Sequence, residues 1–240
     1  MNLIVANDYE QLSCVAAERI AQYINDNPNA LLCFAAGDTP LGTFKKLIEL
    51  QKQQKVNLSS VFYVGLDEWA GLEKDVPGTC FQVMHDNFYH PANIPSDRFV
   101  VFHGDCKNLE EECRRVQQWI DEHNGLDLVL LGVGMNGHVG FNEPGSPDFA
   151  GCFPIPLDNV TKEVSVKYFH QKLPLTYGLT IGWKTLKSAK KVLVLANGAK
   201  KAPVIKRAFC EPASADFTIS LFQDHKDLTV ILDQEASSEL

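Results

Sequence analysis

Four nearly unbroken apolar runs constrain this chain more than anything else in it. They are Ala30–Ala36, Val61–Leu66, Asp127–Val133 and Lys191–Ala196. A strand with one wet face alternates apolar and polar residues. A run without that alternation belongs to a strand covered on both faces, as in parallel sheets. Between the runs lie segments with apolar residues at helical spacing. The clearest is Tyr9–Asp26, with Leu12, Val15, Ala16, Ile20, Tyr23 and Ile24 on one face and Asn7 or Asp8 available as its cap. Leu41–Gln54, Gly78–Tyr89, Asn108–Glu122 and Lys200–Phe209 also read as helices, Phe99–Phe102 and Asp227–Leu232 as strands, and Pro144–Asp158 as a loop rich in Pro, Gly and Asp. Strand–helix alternation with covered strands predicts an α/β fold. The expected form is a single doubly wound domain over residues 1–240, a mainly parallel, Rossmann-like sheet with helices on both faces.

Charge and cysteine content narrow the function classes. A net charge of -8 argues against general nucleic-acid affinity, but a few local amides and lysines can still hold a phosphorylated small molecule. The 7 cysteines are odd in number, scattered and without a CxxC pair. With no secretory signal this reads as reduced thiols and a cytoplasmic protein. No apolar run approaches membrane-spanning length, so no membrane contact is expected. His85 and His90, five apart, do not have a metal-binding spacing, and no metal is expected.

Ligands of open α/β sheets bind beyond the carboxyl ends of the strands, so the residues after each run matter most. Gly37-Asp38-Thr39-Pro40 follows the first run. Thr39 can cap the next helix and Pro40 suits its first turn, a structural role. The same turn can cradle a phosphate on its amides and the helix dipole, provided that the Asp38 side chain points outward. After the second run, Leu66-Asp67-Glu68-Trp69 offers adjacent carboxylates that point opposite ways on extended chain, so at most one enters a shared pocket. They read either as a solvated turn or as a general base.

The third run opens into Gly132-Val-Gly134-Met-Asn136-Gly137-His138-Val-Gly140-Phe-Asn142-Glu143-Pro144-Gly145. Its start matches the dinucleotide fingerprint GxGxxG, but that fingerprint must open a helix, and a Pro-Gly pair with further glycines does not. A lone histidine is more often structural than catalytic. Five surrounding glycines shift the balance, because they remove bulk where a ligand would approach. Asn136 and Glu143 are placed to fix the tautomer and orientation of His138. After the fourth run come Lys200 and Lys201 at a helix start. They are solvated lysines or, since cations are unfavourable there, partners of a bound anion.

Together these motifs resemble the glucosamine-6-phosphate deaminase/isomerase family, which is related to the 6-phosphogluconolactonases. The resemblance runs over nearly the whole chain: Gly37–Pro40, Leu66–Trp69, Gly132–Gly145 and the Lys201-Ala202 helix start. The lactonases share the glycine-rich opening and the histidine, whereas Phe141–Pro144 looks like the deaminases. The resemblance implies that His138, oriented by Glu143 with Asn136, opens the sugar ring and that Asp67 moves the proton from C2 to C1. The substrate would be a 2-amino-2-deoxyhexose 6-phosphate and the products a ketohexose 6-phosphate and ammonia, with neither metal nor organic cofactor. The substrate-binding residues would be Gly37, Asp38 (through its backbone), Thr39, Gly137, Lys201 and Lys167. Lys167 stands where the family usually has a lid arginine, keeping the charge but losing the bidentate fork. Asn136 replaces an aspartate of some members. The chain ends at Leu240, so the allosteric extension of the hexameric members is not expected. The Leu66–Trp69 and Pro77–Cys80 segments look like the galactosamine-type isomerases, which leaves the C4 epimer open between glucosamine and galactosamine 6-phosphate. A lactonase-type hydrolase and a non-catalytic sugar-phosphate sensor are the competing readings. A homo-oligomer is compatible with the sequence, which marks no surface for one.

Overall fold

The computed structural model describes residues 1–147 and 150–240. In chain order the elements are β1 (Asn2–Ala6), α1 (Tyr9–Asp26), β2 (Leu31–Phe34), α2 (Asp38–Lys52), β3 (Phe62–Gly65), β4 (Asp67–Trp69), α3 (Cys80–Met84), β5 (Phe99–Val100), α4 (Leu109–Glu122), β6 (Leu128–Leu131), β7 (Cys152–Pro156), α5 (Asn159–Phe169), β8 (Tyr177–Ile181), α6 (Trp183–Lys187), β9 (Lys191–Ala196), α7 (Ala202–Cys210) and β10 (Leu228–Asp233). Seven strands form one parallel sheet in the order β1-β10-β9-β6-β2-β3-β5.

Period-2 geometry explains the apolar runs, because each central strand feeds two cores. Leu31, Cys33, Val129, Leu131, Val192 and Val194 point to one side, where α4, α7 and the second sheet cover them. Leu32, Phe34, Leu128, Leu130, Leu193 and Leu195 point to the other, under α1, α2 and the segment around Phe88. Phe34, Phe44, Tyr63 and Phe88 stack there edge-on and tilted, with ring centroids 5.1–5.7 Å apart. Each such buried ring stabilises the fold by roughly 2–3 kcal/mol.

Some expected elements differ. Asp8 is the cap of α1, its carboxylate accepting the Gln11 N–H at 2.8 Å. Thr39 does not cap α2: Gly37 occupies the cap position, the helix starts at Asp38, and the Thr39 hydroxyl turns to Asn197 instead. The expected Gly78–Tyr89 helix is a short α3 followed by a π-type turn over His85–Tyr89. The last helix begins at Ala202, after a 3₁₀ turn. The loop expected over Pro144–Asp158 contains β7; Asp148 and Phe149 lie outside the described residues. β7 is an edge of a second, antiparallel sheet ordered β4-β8-β7 that the sequence did not announce. Pro154 and Pro156 are tolerated because an edge strand has one side without ladder partners. This small sheet packs one face on the main core through Leu179 and Ile181, while Ile155 and Trp69 meet Phe169 of α5 and Phe141 in a satellite cluster.

Candidate active site

Strands β9, β6, β2 and β3 are consecutive neighbours and all parallel, so their carboxyl ends lie side by side. The chain runs from β2 to β3 on one flank, while β6 joins on the other, a topological switch point. The four segments singled out in the sequence follow these four strands, and their side chains cross-tie the ends. Thr39 Oγ1 lies 2.7 Å from Asn197 Oδ1, joining the ends of β2 and β9. Lys201 Nζ donates to the Val133 carbonyl at 2.6 Å, joining the ends of β9 and β6.

The N-terminus of α2 carries no side-chain cap. Its first turn is held from behind by Tyr9, whose hydroxyl is 3.1 Å from the Asp38 carbonyl and 3.0 Å from that of Thr39, and accepts the Gly42 N–H at 2.8 Å. A Cβ built on Gly37 would meet nothing within 4 Å, so packing within the chain does not demand glycine there. The Asp38 side chain is exposed and ion-pairs with Lys167 of α5. Burial, reinforced by the nearby Lys167, pulls the Lys201 ammonium below the usual lysine range. Lys201, Lys167 with its Asp38 partner and the uncapped first turn of α2 thus share one corner, which suits an anion once Lys167 is released from Asp38.

At the end of β3 the two adjacent carboxylates part. Glu68 is buried, not in a solvated turn: its carboxylate accepts the N–H groups of Trp69 at 2.8 Å, Cys80 at 3.0 Å and Phe81 at 2.7 Å, pinning α3 to β4. Asp67 lines a small cavity at the sheet end with Gly65, Leu66, Cys80 and Phe81. Burial, then the neighbouring Glu68, push its carboxyl up to about 7, against the opposing pull of Cys80.

After β6 the chain forms a tight turn. The Gly134 N–H donates to the His138 carbonyl and the Gly137 N–H to the Gly134 carbonyl, both at 3.0 Å. Gly137 has φ +80°, and a side chain there would run into the Phe217 ring. His138 Nδ1 lies 3.3 Å from Glu143 Oε2, within ion-pair range but off the axis of a well-aligned hydrogen bond. Asn136 works on both: its amide donates to Glu143 Oε2 at 3.3 Å, and its carbonyl oxygen accepts the His138 N–H at 3.2 Å. Burial would raise the Glu143 carboxyl, but His138, Thr161 and Asn136 outweigh it and hold it below the usual glutamate range. The Asp158 N–H reaches Glu143 Oε1 at 3.4 Å, so the start of α5 touches this pair while Lys167 near its other end touches the α2 turn.

All ten expected site residues therefore fall on neighbouring strand ends or on α5. Sequence reasoning missed Tyr9, Asn197 and the buried Asn142, whose amide donates to the Val139 and Ile181 carbonyls and whose oxygen accepts the Trp183 N–H. Tyr9 reaches Thr39 across 30 residues and Asn142 reaches Ile181 across 39, and no local pattern marks such contacts. No helix follows the Gly132–Gly137 turn before α5 among the described residues, so the dinucleotide fingerprint lacks its helix. A wider cleft of about 770 Å³ borders Tyr9, Asp38 and Lys45 along α2 but includes none of Asp67, His138 or Glu143. Among the described residues no group of three or more His, Cys, Asp or Glu could hold a metal ion, and no helix is long and apolar enough to cross a membrane.

A family model of glucosamine-6-phosphate isomerases/6-phosphogluconolactonase matches residues 7–231. The chain is 38% identical over 240 residues to a glucosamine-6-phosphate deaminase of Bacillus pumilus, covering 99% of each. It is 35% identical to glucosamine-6-phosphate deaminase 1 of Bacillus subtilis, with the same coverage. A solved structure of a monomeric glucosamine-6-phosphate deaminase, 35% identical, superposes over 100% of both chains with a TM-score of 0.95. A 6-phosphogluconolactonase from Thermotoga maritima shares the fold at 20% identity and a TM-score of 0.76, covering 97% of this chain and 98% of that one.

Proposed function

Because the chain belongs to the family of glucosamine-6-phosphate isomerases and 6-phosphogluconolactonases, we propose that it is an amino-sugar-6-phosphate deaminase converting glucosamine 6-phosphate and water to fructose 6-phosphate and ammonia. The observation that carries this reading is the convergence on four adjacent strand ends of an uncapped helix N-terminus with Lys201, a carboxylate poised near neutrality, and a His–Glu pair.

The phosphate binds the first turn of α2 at Gly37, Asp38 and Thr39, with Lys201 and Lys167 supplying the countercharge; Lys167 leaves Asp38 for the dianion. Gly137, whose side-chain position is taken by the Phe217 ring, offers its main chain to the sugar. His138, oriented by Glu143 and Asn136, moves the proton that opens the pyranose and exposes the C1 aldehyde. Asp67 then takes the proton from C2, giving an enolamine, and returns it to C1. The resulting C2 imine adds water and expels ammonia, leaving the ketose. A base with its carboxyl near 7 is half ionised at neutral pH, which suits a group that must both accept and donate the proton. Seven free thiols suit a reducing cytoplasm.

The test is ammonia release from glucosamine 6-phosphate with identification of the ketose phosphate. Galactosamine 6-phosphate and 6-phosphogluconolactone are run alongside. Release from the first supports the reading. Lactone hydrolysis without ammonia, or binding without turnover, replaces it with the hydrolase or the sensor. A second expectation concerns the phosphate turn. Gly37→Ala leaves the melting temperature unchanged, since its Cβ meets no protein atom, yet raises KM by roughly tenfold, the scale of one intruding methyl group in a binding site. An unchanged KM would remove Gly37 from the phosphate contact.

A further inference from the structure

Cys80 is not among the residues that the deamination scheme uses, yet it shares the small cavity at the end of β3 with Asp67. Phe34, Leu66, Phe81 and Met84 help to close the walls around about 10 Å³ of space, at the lower limit for one water molecule. The position of Cys80 is fixed through its main chain, because the buried Glu68 carboxylate accepts the N–H groups of both Cys80 and Phe81. From there the Cys80 side chain lines the same cavity as the Asp67 carboxylate.

We propose that Cys80 is a positioning residue for Asp67, its thiol donating a hydrogen bond across the shared cavity that aims the carboxylate. The inference rests on the reading of Asp67 as the base. Burial beside two carboxylates pushes the Cys80 thiol well up, so it stays protonated and remains a donor at any working pH. The other titratable groups facing Asp67 do not take this role. Glu68, on the same strand, opposes its ionisation. Cys33 of β2 and Tyr168 of α5 lie within its field, and both are held protonated, the tyrosine pushed up to about 12. Cys80 is the group that lowers the Asp67 carboxyl against burial and Glu68.

The experiment is the pH dependence of kcat/KM for ammonia release in the wild type, Cys80→Ser, Cys80→Ala and Asp67→Asn. A base must be ionised to act, so activity falls on the acid side of its pKa. Losing a donor to the charged form raises that pKa. Cys80→Ala therefore moves the acid limb to higher pH by about half a unit to one unit, a roughly three- to tenfold relative loss at the foot of the profile. Cys80→Ser, which keeps a donor, holds the limb at or below the wild-type position. Cys80→Val reads the same limb as Ala with the volume retained, should the Ala variant fold poorly. An acid limb unmoved in Cys80→Ala and Cys80→Val, with an equal loss at every pH, overturns the inference and leaves Cys80 a packing residue. A Cys80→Ser limb shifted as far as that of Cys80→Ala overturns it as well. Asp67→Asn separates the two levels. If it still releases ammonia, the base reading falls and takes the inference with it. If it is inactive while the Cys80 variants leave the limb in place, the inference alone falls.

Discussion

Asp67→Asn is expected to cut ammonia release by about 100- to 10,000-fold, the span that a positioned general base contributes, and to make the protein more stable at pH 8. Both effects have one cause. The Asp67 carboxyl is raised from 3.8 to about 7 by burial and by Glu68. A group raised in the folded state contributes stability that is fully present below its unfolded pKa and is lost as pH climbs through the folded one. The loss therefore runs from about pH 4 to pH 7, and above that the folded enzyme carries a buried, poorly solvated charge beside another carboxylate. Asparagine keeps the shape and never ionises. Melting temperatures of variant and wild type should nearly coincide at pH 3.5 and separate in favour of the variant at pH 8, with binding of inorganic phosphate close to wild type. A variant with full turnover would take Asp67 out of the proton transfer, and a stability gap that does not grow with pH would deny the buried charge.

Gly134→Ala should lower kcat by about 100-fold, the cost of displacing a reacting group by roughly 1 Å. A Cβ at this position would stand 2.4 Å from both Cδ2 and Nε2 of His138, and 2.7 Å from Cε1. The ring cannot retreat freely, because Glu143 sits 3.3 Å from Nδ1 and the Gly134–His138 backbone hydrogen bond closes the turn. Overpacking of this kind also costs about 1–3 kcal/mol of stability. Gly132→Ala is the control, since its Cβ meets nothing within 4 Å and the protein should melt as before. Wild-type kcat in Gly134→Ala would mean that the present place of the His138 ring is not used in the reaction.

The parts of the fold that were legible in the sequence are those whose own residues carry the full burial signal. β2, β3, β6 and β9 lie inside the sheet, covered on both faces, so each shows as an apolar run. β1 did not, because it is the sheet edge and leaves Leu3 and Val5 exposed. β4, β7 and β8 escaped for other reasons. β4 is three residues long, β7 holds two prolines, and the antiparallel pairing of the three unites segments up to about 110 residues apart. α5 has few buried residues, and three valines on it, Val160, Val164 and Val166, are exposed, which blurs its helical stripe.

For the site, the amino-acid sequence by itself determined which residues arrive at the carboxyl ends: Asp67 directly follows its apolar run, His138, Glu143 and Lys201 lie in the segments that open from theirs, and chain connectivity puts them there. It also determined that neighbouring Asp67 and Glu68 diverge, because successive side chains on extended chain point to opposite faces. Strand order was decided only in the tertiary structure. With β9, β6, β2 and β3 as neighbours, Thr39 meets Asn197 and Lys201 meets the Val133 carbonyl. The roles of Tyr9 behind the α2 turn and Glu68 as the clamp on α3 are of the same kind. Each is a hydrogen bond between groups that neither periodicity nor spacing relates, so it exists only once two independently legible elements have packed together.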